Sequence, residues 1–251
     1  MVNNYRVLVH FDGTEYHGWQ FQTPEYRTIQ AELIRALKII AKKQMIVTGS
    51  SRTDAGVHSL GLTANFHLPV AIEPDSLQKA LNSLLPRDIR IMECALMDKS
   101  FNARFGASSK TYVYRIFTGQ VQSPFSQRFA FHIPCPLDTK AMRRAARHFI
   151  GAKDFTSFTS DEPEKKKLRE VTEFKMQVKK DEIIFTVRGR SFLRYMVRNM
   201  VGTIIDVGRG KIRPDDIPEI FAAKDRRRAG QTAPAKGLTL VQVEYEPLPK
   251  K

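Results

Sequence analysis

Cysteine, tryptophan and long apolar runs are all scarce in this 251-residue chain. The two cysteines, Cys94 and Cys135, make neither a disulfide framework nor a zinc pattern, and free thiols are expected. The six histidines are scattered, with no His-x-x-x-His and no Cys-x-x-Cys, so no metal and no cofactor is expected. No apolar stretch approaches the ~20 residues of a membrane-spanning helix. Met1-Val2-Asn3-Asn4-Tyr5 lacks the basic and apolar regions of a signal peptide, and cytoplasmic residence is the simple expectation. Low-complexity sequence is absent apart from Glu164-Lys165-Lys166-Lys167, a charged run that reads as a surface loop.

Acidic residues are also in short supply. Against 41 Lys and Arg stand 26 Asp and Glu, a net charge of +15 with a pI near 9.9. Such a surplus points to a polyanionic partner. It is uneven: residues 1–125 carry +4 and residues 126–251 carry +11, so the second half should hold more of the phosphate-facing surface. Hydrophobic content of 42% and charged content of 27% describe an ordinary globular protein, long enough for one large domain or two small ones.

The pattern predicts a first strand over Tyr5–Phe11, then a helix capped by Thr28 with Ile29, Leu33, Leu37 and Ile40 inward. Strands follow at Met45–Thr48 and Leu62–Leu68, the latter alternating with period two. A helix opens at Pro74 and stops before Pro86, and a strand covers Ile89–Met97. The second half repeats the order. It has a strand over Lys110–Thr118, a helix capped by Asp138 with Met142, Ala145, Ala146 and Phe149 inward, and a hairpin of Glu170–Val178 and Glu182–Arg188. A long helix capped by Ser191 reaches Val207, a short helix follows Pro214, and a last strand covers Leu238–Tyr245. Each half reads β-α-β-β-α-β, the ferredoxin-like arrangement that RNA-recognition modules also use. The expected fold is α+β: two tandem ferredoxin-like halves, 1–105 and 106–251, with a mostly antiparallel sheet and a central RNA-binding cleft.

The residues richest in chemistry are Gly49-Ser50-Ser51-Arg52-Thr53-Asp54-Ala55-Gly56-Val57-His58. Asp54 lies between two glycines, with Arg52 two residues upstream. A carboxylate on a tight loop beside a cation stays ionised and can serve as nucleophile or base. The same residue types also suit a plain Asx-turn with a surface arginine, and the residues alone favour that second reading.

Arg52-Thr53-Asp54-Ala55-Gly56-Val57-His58 resembles the signature loop of the tRNA pseudouridine synthase A family. Further blocks match that family in the same order: Phe11-Asp12-Gly13-Thr14 with Tyr16-His17-Gly18-Trp19-Gln20, Phe101-Asn102-Ala103-Arg104-Phe105, Lys110-Thr111-Tyr112-Val113-Tyr114, Asp154-Phe155-Thr156-Ser157-Phe158, Met196-Val197-Arg198-Asn199-Met200-Val201-Gly202 and Ala223-Lys224-Asp225-Arg226. The resemblance implies isomerisation of uridine to pseudouridine in the anticodon arm of tRNA, at tRNA positions 38 to 40, by a homodimer without cofactor. It implies Asp54 as the catalytic nucleophile, Tyr112 stacked on the uracil with Tyr114 structural, and Arg198 paired with the Asp54 carboxylate. A snorkelling arginine is the alternative for residue 198. Arg52 would touch phosphate or fill the gap left by a flipped base. His58 would position RNA or make a structural hydrogen bond.

Arg104, Lys110, Arg188, Arg190, Arg194, Arg209, Lys211 and Arg226-Arg227-Arg228 are expected RNA contacts as a group. Two rivals are weighed against this reading. A non-catalytic RNA-binding protein would explain the charge but not a carboxylate in a basic site. A methyltransferase or deaminase would need a glycine-rich fingerprint after a strand, or His-x-Glu with Cys-x-x-Cys, and neither is present.

Overall fold

The structure, a computed structural model, describes residues 2–160 and 166–246. In chain order its strands are β1 (Asn3–Phe11), β2 (Val47–Gly49), β3 (His58–Leu68), β4 (Ile89–Met97), β5 (Ala107–Phe117), β6 (Phe131–His132), β7 (Gly151–Asp154), β8 (Leu168–Val178), β9 (Glu182–Gly189) and β10 (Leu238–Tyr245). The helices are α1 (Ile29–Ala41), α2 (Pro74–Leu84), α3 (Thr139–Arg147), α4 (Met196–Gly208) and α5 (Ile217–Ala223). The architecture is α+β, with mostly antiparallel strands. Two compact units divide the chain: one runs through Ser108 and takes in the chain from Leu240 onward, and the other is Ser109–Thr239. The sequence reading placed 106–251 together; among the described residues, 240–246 group with the first unit.

In the first unit the elements run β1-α1-β2-β3-α2-β4, and the strand order is β4-β1-β3-β10 with β2 beside β3. Along β1, Tyr5, Val7, Val9 and Phe11 alternate inward, which fixes the register Tyr5↔Phe66 and Val7↔Ala64 against β3. The Thr28 hydroxyl caps α1 by accepting from the Ala31 amide at 3.3 Å, and Ile29, Leu33, Ala36 and Leu37 form its buried stripe. Pro74 sits in the first turn of α2, where its missing N–H costs nothing, and Leu77 and Leu81 face the core.

Strand β3 departs from the expected alternation: nearly all of it is buried. Leu62, Ala64, Phe66 and Leu68 form one face. The other carries Thr63 and Asn65, of which Asn65 is covered by the chain around 98–103. Asn65 donates to Asn4 Oδ1 at 3.0 Å and to the Phe101 carbonyl at 3.3 Å, and accepts from the Ala103 amide at 2.9 Å. Asn4 in turn donates to the carbonyls of Asp98 and Phe101. A local pattern cannot report a cover that arrives from forty residues away.

In the second unit the strand order is β5-β9-β8-β7, with β6 parallel to β5. The short strands β6 and β7 interrupt the plain repeat that the sequence suggested. Asp138 caps α3 by accepting from the amides of Lys140 and Ala141, while Phe149 is buried just beyond the helix rather than in it. Helix α4 begins at Met196, not near Ser191, because Tyr195 takes a left-handed φ of 60° that helical geometry does not allow. Every residue of α4 except Arg198 is buried. Of the charged run near 165, Glu164 and Lys165 lie outside the described residues; Lys166 is exposed and Lys167 is buried.

Asn65→Leu fills a similar volume but leaves the Ala103 amide and Asn4 Oδ1 without their partner. Each stranded group costs about 1–3 kcal/mol. A fall in stability of at least that size is expected, read as a lower urea midpoint at unchanged m value.

Candidate active site

Asp54 lies on the eight-residue connection from β2 to β3. The loop is held at both ends and in the middle. At its start the Ser50 amide donates to the Thr63 carbonyl at 2.8 Å, and the Ser50 hydroxyl accepts from the Thr63 amide at 3.2 Å. In the middle, the Trp19 amide donates to the Thr53 carbonyl at 3.1 Å, and the Gly56 amide donates to the Tyr16 carbonyl at 3.2 Å. A tight turn closes with the Val57 amide on the Asp54 carbonyl at 3.2 Å, and Gly56 takes the φ of 76° that the turn needs.

The segment that grips this loop, Tyr16 to Phe21, is itself fixed to α1. The first helical amides, Ile29 and Gln30, donate to the carbonyls of Gly18 and Trp19. The Gln30 side chain accepts from the Phe21 amide at 2.7 Å and the Gln20 amide group at 2.8 Å, and donates to the Val47 carbonyl at 2.8 Å. One glutamine thus ties the helix, the gripping segment and β2 together. Trp19 is buried, its indole against Gly49. Tyr16 is buried too, with its hydroxyl on Asp88 at 2.6 Å and the Arg27 guanidinium 4.4 Å above its ring. That hydroxyl's pKa is raised, first by burial and then by the Asp88 carboxylate.

Asp54 is half-buried and Arg52 is exposed. Between them Thr53 is buried, and its hydroxyl has no hydrogen-bond partner. A half-buried carboxylate on a braced loop can present an aimed oxygen to an electrophilic carbon. His58 is 2% exposed at the head of β3. Its Nδ1 accepts from the Gly13 amide at 3.0 Å and lies 3.2 Å from Asp12. The structural hydrogen bond, one of the two roles open to it, is present and pins the Asp12–Gly13 turn.

The second unit holds the other expected site residues. Tyr112 on β5 is buried opposite Val187, with Phe192 edge-on at 5.3 Å. Tyr114 donates to the Pro234 carbonyl at 2.8 Å, and burial raises its hydroxyl's pKa. Arg198 Nε donates to the Ala233 carbonyl at 2.8 Å, and its guanidinium carbon lies 5.0 Å over the Tyr195 ring. Arg194, exposed, covers the same ring at 4.9 Å. Lys110 is half-buried on β5, Arg190 is exposed, and Arg188 Nε reaches the Ser109 hydroxyl at 3.3 Å. In the first unit, Arg104 is exposed and lies 5.6 Å over the Phe105 ring.

Arg226 has a role that the charge run concealed. Its guanidinium donates to the carbonyls of Ala229 and Gly230, to Asn199 Oδ1 at 2.9 Å and to the Thr232 hydroxyl at 3.0 Å. Half-buried, it braces the 226–232 turn onto α4, and burial lowers its pKa. Arg227 pairs through two nitrogens with Asp225. Gln30 is a structural residue that sequence reasoning did not single out, while Trp19 and Asn199 lay inside the family blocks with no role assigned to either. Among the described residues, no three His, Cys, Asp or Glu side chains converge as metal ligands, and no helix is long and apolar enough to cross a membrane.

Gly18 has a φ of 88°, and a Cβ there would stand 2.4 Å from the Thr53 carbonyl oxygen. Gly18→Ala must therefore push the Thr53–Asp54 backbone away. Such overpacking costs about 1–3 kcal/mol of stability, whereas a misplacement of about 1 Å at a reacting group costs about a hundredfold in rate. The expected outcome is a folded protein with turnover reduced far more than its unfolding midpoint, measured on the same preparation.

The family model described as tRNA pseudouridine synthase matches residues 7–106 and 145–246. A tRNA pseudouridine synthase A of Acetivibrio thermocellus is 42% identical over 97% of this chain and 100% of its own length. One from Bacillus pumilus is 42% identical over 96% of this chain and 98% of its own, and one from Thermodesulfovibrio yellowstonii is 40% identical over 96% and 99%. With the model matching in both halves of the chain and relatives aligned end to end, the chain belongs to the tRNA pseudouridine synthase family.

Proposed function

We propose that this protein isomerises uridine to pseudouridine in the anticodon arm of tRNA, at the family's positions 38 to 40, with Asp54 as the nucleophile. The observation that carries the reading is the full-length similarity to proteins named tRNA pseudouridine synthase A. The gripped, half-buried carboxylate at the signature loop supports it. In the reaction the bond from N1 to C1′ breaks, the uracil turns, and a bond from C5 to C1′ replaces it; C5 gives up its proton and N1 gains one, so substrate and product have the same formula and the carboxylate is released unchanged. Asp54 attacks either C1′ or C6; both keep the atoms balanced, and both need the carboxylate ionised. No metal or redox step is required.

Tyr112 is proposed to lie against the uracil, its ring plane set by Phe192. Arg52, exposed on the loop, is proposed to enter the stack or meet phosphate as the base is extruded. Arg198 is proposed as the cation that keeps Asp54 ionised. Its backbone and Nε are both fixed on Ala233, which suits a positioning task. Phosphate contact is assigned to Arg104, Lys110, Arg188, Arg190 and Arg194 as a group, joined by Arg227 and Arg228. Arg226 belongs to that group only through the turn it braces. A cytoplasmic homodimer is the proposed state.

Tritium release from C5-tritiated uridine in unmodified tRNA, with no added cofactor, tests the reaction. Wild-type protein should release tritium. Asp54→Asn keeps the shape of the loop but cannot act as nucleophile, and should release none while binding tRNA nearly as before. Turnover within tenfold of wild type would remove Asp54 from the reaction.

Arg198→Met is expected to cut turnover strongly. Arg198→Lys should recover only part, because it restores the charge but not the planar fork. Equal turnover for the methionine variant and the wild type would overturn the role of Arg198. Charge reversal at Arg227 and Arg228 should weaken tRNA binding and flatten the dependence of log K on log salt.

A further inference from the structure

Phe105 is 81% exposed, and it is not on a loose loop. The Asn102 side-chain oxygen accepts from the amides of Arg104 at 2.9 Å and Phe105 at 3.1 Å, and the Asn102 carbonyl accepts from the Gly106 amide at 3.0 Å. The turn rests on a buried floor. The Ala103 amide donates to Asn65, and the Ala103 carbonyl accepts from the Tyr245 hydroxyl at 2.8 Å. The Thr63 and Ser50 side chains act on that same hydroxyl, each drawing its pKa down against the rise that burial causes. Ser50 opens the Asp54 loop. The turn that displays Phe105 and the loop that carries the nucleophile are therefore joined through one hydroxyl within the first unit.

An exposed phenyl ring costs a protein solubility and gains it nothing by burial. Holding one rigidly in water makes sense where a ligand supplies the second face. Here the Arg104 guanidinium lies 5.6 Å over the ring, a cation beside an apolar plane. Unpaired bases stack on aromatic rings and guanidinium planes, with a phosphate always within reach of a neighbouring cation. The partner is accordingly polyanionic with flat apolar faces.

We propose that Phe105 is a stacking platform for an unpaired base of the RNA substrate, with Arg104 binding the adjoining phosphate. The inference rests on the functional reading above and adds a positioning residue to it. Because the platform is tied to Ser50, a base seated on Phe105 sets the register of the RNA relative to Asp54.

The test uses the full chain carrying Asp54→Asn, so that RNA binds without turning over, with an anticodon-arm hairpin as probe and a fully paired duplex of equal length as comparison. Phe105→Ala should weaken hairpin binding by roughly five- to a hundredfold, the range for losing one aromatic–base stack. Phe105→Tyr should restore it to within about threefold. Phe105→Trp adds an exposed indole to a chain whose own Trp19 is 1% exposed. Its fluorescence should be quenched by the hairpin and much less by the duplex.

Unchanged hairpin affinity in Phe105→Ala, or bound hairpin with no quenching in Phe105→Trp, would overturn the inference and leave the functional reading intact. A change in sedimenting mass with unchanged RNA affinity would overturn it in favour of a protein contact. Failure of the wild-type chain to bind the hairpin at all would overturn the functional reading and the inference with it.

Discussion

Two backbone hydrogen bonds set the position of Asp54: Trp19 N–H to the Thr53 carbonyl and Gly56 N–H to the Tyr16 carbonyl. They bracket Asp54 on either side, so the residue has little freedom to drift even though its side chain is half-exposed. The grip works because the gripping segment is itself anchored. Its carbonyls take the first amides of α1, which a helix must satisfy from outside itself. Its side chains Tyr16 and Trp19 are buried. Pre-organisation of this kind removes a reorganisation cost from the reaction step.

The second unit solves a related problem by different means. Helix α4 is buried on all sides except at Arg198, so a charged head emerges at one defined place in an apolar element. A helix that apolar needs polar ties to fix its rotation, and Asn199 supplies them. Its amide nitrogen donates to the Phe158 carbonyl, and its oxygen takes both Arg226 and Thr232. Those contacts couple the family blocks around residues 158, 199 and 226, which lie far apart in sequence. Rotation of α4 about its axis would break all three, and Arg198 would move with it.

What the sequence disclosed and what it hid follow from the range of the forces involved. The caps at Thr28 and Asp138 and the stripe Ile29, Leu33, Leu37 are local, and each is found where the pattern places it. The burial of β3 at Asn65 depends on that side chain reaching the 98–103 turn, and the late start of α4 depends on a left-handed Tyr195; neither leaves a periodic signature. At the site, residue types alone favoured an Asx-turn for Asp54, and only the succession of blocks made it the proposed nucleophile. The bracket around it was present in Tyr16-His17-Gly18-Trp19-Gln20, but the physical reason for that block is a set of backbone contacts that side-chain identities do not spell out. His58 shows the reverse: a histidine beside the reactive loop that spends its Nδ1 on the Gly13 turn.

The arginines show why net charge is a coarse guide to an RNA surface. A chain with +15 invites assignment of every basic residue to phosphate. Yet Arg226 makes four internal hydrogen bonds, Arg227 is held by Asp225, Arg213 by Asp216, and Arg143 by the Met176 carbonyl. A guanidinium engaged in this way still contributes its charge to the long-range field that steers a polyanion. It does not contribute a free fork at short range without first breaking its internal bonds. Steering and contact are therefore separable: the first scales with the whole surplus, the second is open to exposed groups such as Arg52, Arg104 and Arg190, which are proposed RNA contacts. Removing a bracing arginine would act through the position of α4, and removing an exposed one through the counterions released on binding. The same residue type at neighbouring positions of one charge run thus governs geometry at 226 and electrostatics at 228.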